Sequence, residues 1–132
     1  MAKIGVFAAI FDEERRIFLV RMAYGNHSWT TPGGALGAGE TIEEGLKREV
    51  FEETGFRIEP GSIIGVYSKP SENEVVIFVE ATIIDRKAWQ PNDEISEVGF
   101  FAESDLPTPM NPRPRLRIED AFCGERGILR SF

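Results

Sequence analysis

Residues 34–56 read GALGAGETIEEGLKREVFEETGF and decide the fold, because they contain the clearest helix signal in the chain. Thr41, followed three residues later by Glu44, forms a capping box, which marks the start of a helix. Gly55 stands where a left-handed C-terminal cap is expected. The stretch therefore predicts a helix from Thr41 to Thr54. Its buried side is indicated by apolar residues at helical spacing, namely Ile42, Leu46 and Val50.

The same helix carries three glutamates, Glu49, Glu52 and Glu53. Spacings of three and four residues place their carboxylates on one face. Like charges at this spacing repel, so the cluster costs stability unless a cation joins it. Hard divalent cations prefer oxygen ligands, and Mg²⁺ takes a few carboxylates together with water and substrate phosphates. The pattern predicts a metal site, although taken alone it also fits a solvated acidic surface.

The residues around the helix favour the metal site. Gly33 and Gly34 begin a glycine-rich segment before the helix, and glycine lets the backbone approach an anion or a metal closely. Glu40 lies at the helix entrance. Arg48 lies four residues after Glu44 and four before Glu52, so it can hold carboxylates in orientation. Arg48 alone would fit an ordinary surface ion pair, which contributes little.

Residues 34–56 resemble the Nudix box, G-x5-E-x7-R-E-U-x-E-E-x-G-U, in which U is a bulky apolar residue. All seven fixed positions match, and they are Gly34, Glu40, Arg48, Glu49, Glu52, Glu53 and Gly55. The resemblance extends to residues 29–34 before the box and to residues 94–101, which are similar to the late acidic loop and strand of the family.

The resemblance implies an enzyme that cleaves a nucleoside diphosphate linked to another moiety, by attack of water on phosphorus. Its metal ligands would be the three helix glutamates and the carbonyl oxygen of Gly33. Mg²⁺ is the expected cofactor, and Mn²⁺ is expected to substitute. Arg48 would position Glu49 or Glu52, and Glu40 would support the loop and the helix.

The general base stays open at this point, because members of the family differ. Glu49 is one candidate, Glu97 in the late loop is another, and Glu94 is a weaker third. Glu97 would equally fit a solvated loop carboxylate.

Substrate contacts are also predicted. Arg21 is a candidate for a phosphate and Gly34 for close backbone approach, while Trp29 and Tyr24 are candidates to flank a nucleobase. A surface role for Arg21 and a structural role for Trp29 are the alternatives.

ADP-ribose or a related nucleotide sugar is the expected substrate. Pro70 lies about fifteen residues past the box, where the ADP-ribose-cleaving members of the family tend to carry a proline. The alternative within the class is a nucleoside triphosphate pyrophosphatase. A regulator that binds nucleotides without cleaving them is a third hypothesis, and the complete box argues against it.

The remaining sequence predicts an α+β fold, and the resemblance implies an α/β/α sandwich with a mixed β-sheet, the box helix and a C-terminal helix. Strands are expected at Ile4–Phe11 and Ile17–Met22, paired as a hairpin. Further strands are expected at Ile63–Tyr67, Val75–Ile84 and Val98–Ala102. An irregular proline-rich connection should precede a final helix at Leu116–Phe122. One domain, residues 1–132, accounts for this length.

Composition limits the partners. A net charge of −7 argues against binding a nucleic-acid backbone, which requires clustered cations. The single cysteine, Cys123, excludes an intrachain disulfide and is expected to be a small buried residue. No stretch is apolar for long enough to span a membrane, so a cytoplasmic protein is expected. The resemblance also suggests a homodimer.

Overall fold

The structure is a computed structural model, and it describes residues 2–132. The box helix, α1, spans Ile42–Thr54, with Thr41 as its N-cap, a complete capping box and Gly55 as a left-handed C-cap with φ 74°. The predicted helix is therefore confirmed. Leu46 and Val50 are fully buried, but the prediction for Ile42 was wrong: it is 38% exposed, because the first turn of the helix extends beyond the core.

The strands form two sheets. They are β1 (Lys3–Ile10), β2 (Ile17–Met22), β3 (Trp29–Thr30), β4 (Gly33–Ala35), β5 (Phe56–Lys69), β6 (Glu74–Arg86), β7 (Ile95–Phe101) and β8 (Ile128–Ser131). The mixed sheet has the order β4-β1-β6-β5-β8, and the smaller sheet has the order β3-β2-β7. In the mixed sheet β1 runs parallel to β6 and antiparallel to β4.

The predicted hairpin between β1 and β2 was wrong. The two strands belong to different sheets, and a single bridge between Phe11 and Ile17 joins them at the turn. The reason lies in their side chains, because both strands alternate between two cores. Ala8 of β1 and Phe18 of β2 belong to one core, whereas Ala9 and Ile17 belong to the other. Strands that are buried on both faces read as continuous apolar runs, and such runs do not reveal the pairing partner.

Each core is covered by one helix. Leu46 and Val50 of α1 pack into the first core, and Ile118 and Ala121 of the C-terminal helix α2 (Pro112–Cys123) pack into the second. The sheets therefore lie between two helices, as the expected α/β/α sandwich requires. Among residues 2–132, no helix is long and apolar enough to cross a membrane.

The C-terminal region departs from the sequence predictions. Helix α2 begins at Pro112, four residues earlier than expected, because proline is compatible with the first turn, where its missing N–H is not needed. The prediction of a buried Cys123 was wrong, since this last residue of the helix is exposed. The strand β8 follows and pairs in parallel with β5.

Candidate active site

An acidic cleft of about 430 Å³ opens beside α1. We define it by three carboxylates in its lining: Glu49 and Glu53 of α1, and Glu94, which lies just before β7. Gly33 and Gly34 of β4 also line it. Strand β4 pairs with β1, and α1 packs against both strands, so the sheet holds the glycine segment against the helix.

Glu53 is the buried acid of this cleft, with 8% of its surface exposed. The backbone N–H of Gly33 donates to its Oε1 at 2.9 Å. Burial, and then the nearby carboxylates of Glu49, Glu94 and Glu52, raise the pKa of Glu53 to about 8, although the hydrogen bond from the Gly33 N–H opposes the shift. The site therefore concentrates negative charge around one buried carboxyl group.

Two glycines permit close approaches that build the site, one to the backbone of β1 and one to a carboxylate. Gly33 has φ 151°, and a Cβ atom there would lie 2.1 Å from the carbonyl oxygen of Val6. A Cβ atom on Gly34 would lie 2.5 Å from Oε2 of Glu49. Gly34 is therefore required by its contact with Glu49, a role additional to the predicted approach to substrate.

Arg48 binds three carboxylates that lie around the buried Glu53, namely those of Glu40, Glu49 and Glu52. Its Nε and Nη2 donate to the two oxygens of Glu40 at 2.7 and 2.8 Å, and its Nη1 donates to Glu49 at 3.0 Å and Glu52 at 3.4 Å. The two-point bond from Arg48, together with the Gly37 N–H, lowers the pKa of Glu40 to about 2. Arg48 thus contacts both box glutamates that it was expected to position.

The predicted metal ligands fit a cation by their chemistry. Their oxygens are hard donors, and Glu49 and Glu53 line the same cleft. Within residues 2–132, however, no three acidic, histidine or cysteine side chains surround a common point closely enough to hold a metal ion. Arg48 and the Gly33 N–H engage the oxygens that such an ion would need.

The two late-loop candidates lie in different surroundings. Glu94 lines the acidic cleft, and its position is fixed because its N–H donates to the Asn92 side chain and its carbonyl accepts from Ala23. Glu97 lies opposite Arg21 across the β2–β7 pair and accepts from Arg21 Nη1 at 2.9 Å. It is not among the residues that line the cleft. Position relative to the box could not separate the two, because the register of β7 decides which one faces the site.

Two of the predicted substrate contacts already have partners within the protein. Trp29 is 5% exposed and packs edge-to-face on Phe101 in the second core, so its ring offers no free face to a base. Arg21 donates to Glu97 and to the carbonyl of His27, so its guanidinium is already engaged. Arg21 and Trp29 lie opposite each other in the β2–β3 pair, and neither is among the residues that line the acidic cleft. Tyr24, by contrast, is 57% exposed and lines the acidic cleft.

Two residues that support the site carry no recognisable signal in the sequence. Trp89 donates from Nε1 to the backbone carbonyl of Glu53 at 2.6 Å. Thr31 is fully buried and lines the acidic cleft, where its hydroxyl accepts from Arg117 at 3.4 Å. Both contacts join segments far apart in the chain, so no local signal could have indicated them.

Comparison with known proteins agrees with this geometry. The family model described as "NUDIX domain" matches residues 1–121. A "MutT-like protein" of Streptomyces ambofaciens is 36% identical over 104 residues, which cover 71% of this chain and 67% of that protein. A "Putative 8-oxo-dGTP diphosphatase" of Bacillus subtilis is 29% identical over 124 residues, covering 94% of this chain and 83% of the relative. An "ADP-ribose pyrophosphatase" of Methanocaldococcus jannaschii is 30% identical over 103 residues, covering 74% and 61%.

Solved structures show the same architecture. The chain is similar to a structure of a UDP-X diphosphatase, with a TM-score of 0.83 and 28% identity, covering 98% of this chain and 67% of the other. An ADP-ribose pyrophosphatase from Streptococcus suis matches over the full length of both chains, with a TM-score of 0.79 and 25% identity. Together with the complete box and the acidic cleft that it forms, these matches show that the chain belongs to the Nudix hydrolase family.

Proposed function

We propose that this protein is a Mg²⁺-dependent pyrophosphohydrolase that cleaves a nucleoside diphosphate linked to another moiety, with ADP-ribose or a related nucleotide sugar as substrate. One observation carries the proposal. Glu53 lies in the acidic cleft, where burial, and then the neighbouring carboxylates, raise its pKa to about 8, and this arrangement costs stability unless a cation binds there.

Glu49, Glu52, Glu53 and the carbonyl oxygen of Gly33 would hold the divalent cation, with Mg²⁺ as the physiological choice and Mn²⁺ as a substitute. When bound, the cation neutralises the pyrophosphate and stabilises charge that develops on the leaving group. Arg48, held by its two-point bond to Glu40, would keep Glu49 and Glu52 in orientation for the cation. Arg48 thereby stays as a fixed cation beside the site.

Glu94 is our candidate for the general base, in preference to Glu97. Glu94 lines the acidic cleft, and within residues 2–132 no lysine or arginine forms an ion pair with it. Its carboxylate can therefore accept the proton of the attacking water. Glu49 is the second candidate, but one of its carboxylate oxygens already accepts from Arg48 at 3.0 Å.

Two substitutions test this choice. Glu94→Gln should lower kcat by about a hundredfold or more, since a positioned general base contributes roughly 10²- to 10⁴-fold. Glu97→Gln serves as the matched control, because it removes the same charge from a neighbouring position outside the cleft, and it should retain activity within about threefold of wild type. The reverse order of effects would assign the base to Glu97.

The substrate is proposed because two relatives are named ADP-ribose pyrophosphatase. Hydrolysis of ADP-ribose adds water across the pyrophosphate and yields AMP and ribose 5-phosphate. Chromatography of a nucleotide panel, incubated with Mg²⁺ and separately with EDTA, tests this directly. Release of AMP from ADP-ribose only with Mg²⁺ supports the proposal, and no product from any nucleotide sugar contradicts it.

A second candidate function is nucleoside triphosphate pyrophosphatase activity. The observation that favours it is the likeness, over 94% of the chain, to a protein named putative 8-oxo-dGTP diphosphatase. In the same panel, pyrophosphate and a monophosphate from a triphosphate at higher kcat/KM than ADP-ribose would favour it. A homodimer and a cytoplasmic location stay predictions, and light scattering of the purified protein would test the former.

A further inference from the structure

A second cleft, of about 650 Å³, adjoins the acidic cleft and has the opposite electrostatic character. We call it the basic cleft, because Lys69, Arg113 and Arg117 line it against one carboxylate, Glu74. It shares Phe7, Met22 and Thr30 with the acidic cleft. A cationic cleft is unusual in a chain with a net charge of −7, so we asked which of its three cations have partners within the protein.

Two of the three cations are already paired. Lys69 lies 2.8 Å from Glu72, and Arg113 lies 3.2 Å from Glu72 and 3.6 Å from Glu74. Both side chains are part-exposed, and such pairs contribute little. These cations therefore do not require a ligand.

Arg117 is different, because it is 6% exposed and, among residues 2–132, no carboxylate lies within ion-pair distance of it. Its Nε is buried without a hydrogen-bond partner, and its Nη2 makes one long bond of 3.4 Å to the Thr31 hydroxyl. Burial lowers its pKa to about 10, so the guanidinium is still charged at neutral pH.

Aromatic rings offset part of the free-energy cost of burying the Arg117 guanidinium. The Cζ atom of Arg117 lies 4.8 Å from the centroid of Phe7 and 5.6 Å from that of Phe78. Such contacts attract a cation, but they satisfy no N–H group. A buried cation ordinarily has both a counter-charge and filled donors. Among residues 2–132, Arg117 has no ion-pair partner, and its Nε donor is unfilled.

We propose that Arg117 is a specificity-determining residue, and that the basic cleft binds a phosphate or carboxylate group carried by the substrate beyond the cleaved linkage. The inference rests on the proposed function, which it narrows to nucleoside diphosphates linked to an anionic moiety. A guanidinium suits this role because its planar donors match the oxygens of both anions. The shared lining lets one ligand occupy both clefts.

Binding of inorganic phosphate to the metal-free protein in EDTA tests the site without any turnover. The acidic cleft repels anions under these conditions, so calorimetry reports on the basic cleft. Arg117→Met should weaken phosphate binding at least about tenfold, since a hydrogen bond to a charged group is worth that factor or more. Arg115→Met removes the same charge from the same helix outside the cleft, and it should bind phosphate like wild type. Equal affinities in all three proteins, or no binding to wild type, would overturn the proposal.

Matched substrates then identify the anion. Arg117→Met should raise the KM for ADP-ribose 1″-phosphate or for UDP-glucuronate at least about tenfold, with little change in kcat. The KM values for ADP-ribose and UDP-glucose, which lack the extra anion, should stay within about twofold of wild type. The phosphate pair and the sugar-acid pair distinguish the two sources of charge. Equal losses on charged and neutral substrates would show that Arg117 only supports Thr31.

Replacing a buried charge by an apolar side chain of similar length is often tolerated, so Arg117→Met is expected to fold. If this variant does not fold, NMR of the wild-type protein still tests whether phosphate binds at Arg117. Phosphate should shift the Nε–H resonance of Arg117 in the metal-free protein, and an unshifted resonance would contradict the site. If no nucleotide is hydrolysed, the proposed function fails, while the phosphate titration still tests Arg117 separately.

Discussion

Replacing Glu53 with glutamine should make the metal-free protein more stable at neutral pH. Burial, and then the nearby carboxylates, raise the pKa of Glu53 from 4.5 to about 8 in the folded state, so the folded chain binds this proton more tightly than the unfolded chain does. The free energy of unfolding is therefore highest below the unfolded pKa. The free energy of unfolding falls as the pH rises from the unfolded pKa to the folded pKa, and it levels off above the folded pKa. Glutamine cannot ionise, and its amide oxygen still accepts from the Gly33 N–H.

The size of this destabilisation follows from the difference between pH 7 and the unfolded pKa of Glu53. Each pH unit in this interval costs about 1.4 kcal/mol, so Glu53 destabilises the metal-free protein at pH 7 by at most roughly 3 kcal/mol. For a domain of this length, the melting temperature of Glu53→Gln should rise by up to about 10 °C. The same variant should lose turnover by about a hundredfold or more, since it removes a charged oxygen of one of the proposed metal ligands. Stability and activity should thus change in opposite directions.

Denaturant unfolding of the metal-free protein between pH 5 and pH 8.5 is the assay. Wild type should lose stability across this range, and Glu53→Gln should lose much less. Glu119→Gln, an exposed glutamate on α2, is the matched control and should keep the wild-type slope. A wild-type profile that is flat with pH, or an unchanged slope in Glu53→Gln, would refute the electrostatic account of the acidic cleft.

The remaining predictions concern the supports of the carboxylates. Gly34→Ala should fold with a near-normal melting temperature but lose activity at least about tenfold, because its Cβ meets the mobile end of Glu49. Gly33→Ala should be destabilised by roughly 4 kcal/mol or more, because its Cβ meets backbone at positive φ. Equal melting temperatures for the two would contradict this distinction. Arg48→Met should lower both melting temperature and kcat, and Arg48→Lys should recover only part of each, since an ammonium cannot bond Glu40 at two points. Calorimetry and steady-state kinetics would check this, and full recovery by lysine would rule out the two-point contact.

Much of this protein could be predicted from local patterns. The capping box at Thr41, the Gly55 cap and the spacing of the three glutamates are short-range features, and the helix formed as they indicate. The contacts of Arg48 with Glu49 and Glu52 also follow from helical geometry, because these residues lie within one turn. Such features depend on neighbours in sequence, so no knowledge of the fold is needed to infer them.

Strand pairing was decided only by the tertiary structure. Adjacent apolar runs at β1 and β2 suggested a hairpin, yet each strand is buried on both faces and pairs within a different sheet. The register of β7 against β2 then places Glu97 on Arg21 and leaves Glu94 in the cleft. A shift of one residue reverses which side chains face a site, and local propensity does not determine that register.

The chain by itself thus determined the box helix, its acidic face and the family to which it belongs. The fold alone decided how deeply Glu53 is buried, which late glutamate reaches it and where the unpaired Arg117 lies. The physical reason is the separation in sequence over which each kind of interaction acts. Helix caps and side-chain spacing act over a few residues, whereas burial and charge proximity depend on segments that are brought together from the whole length of the chain.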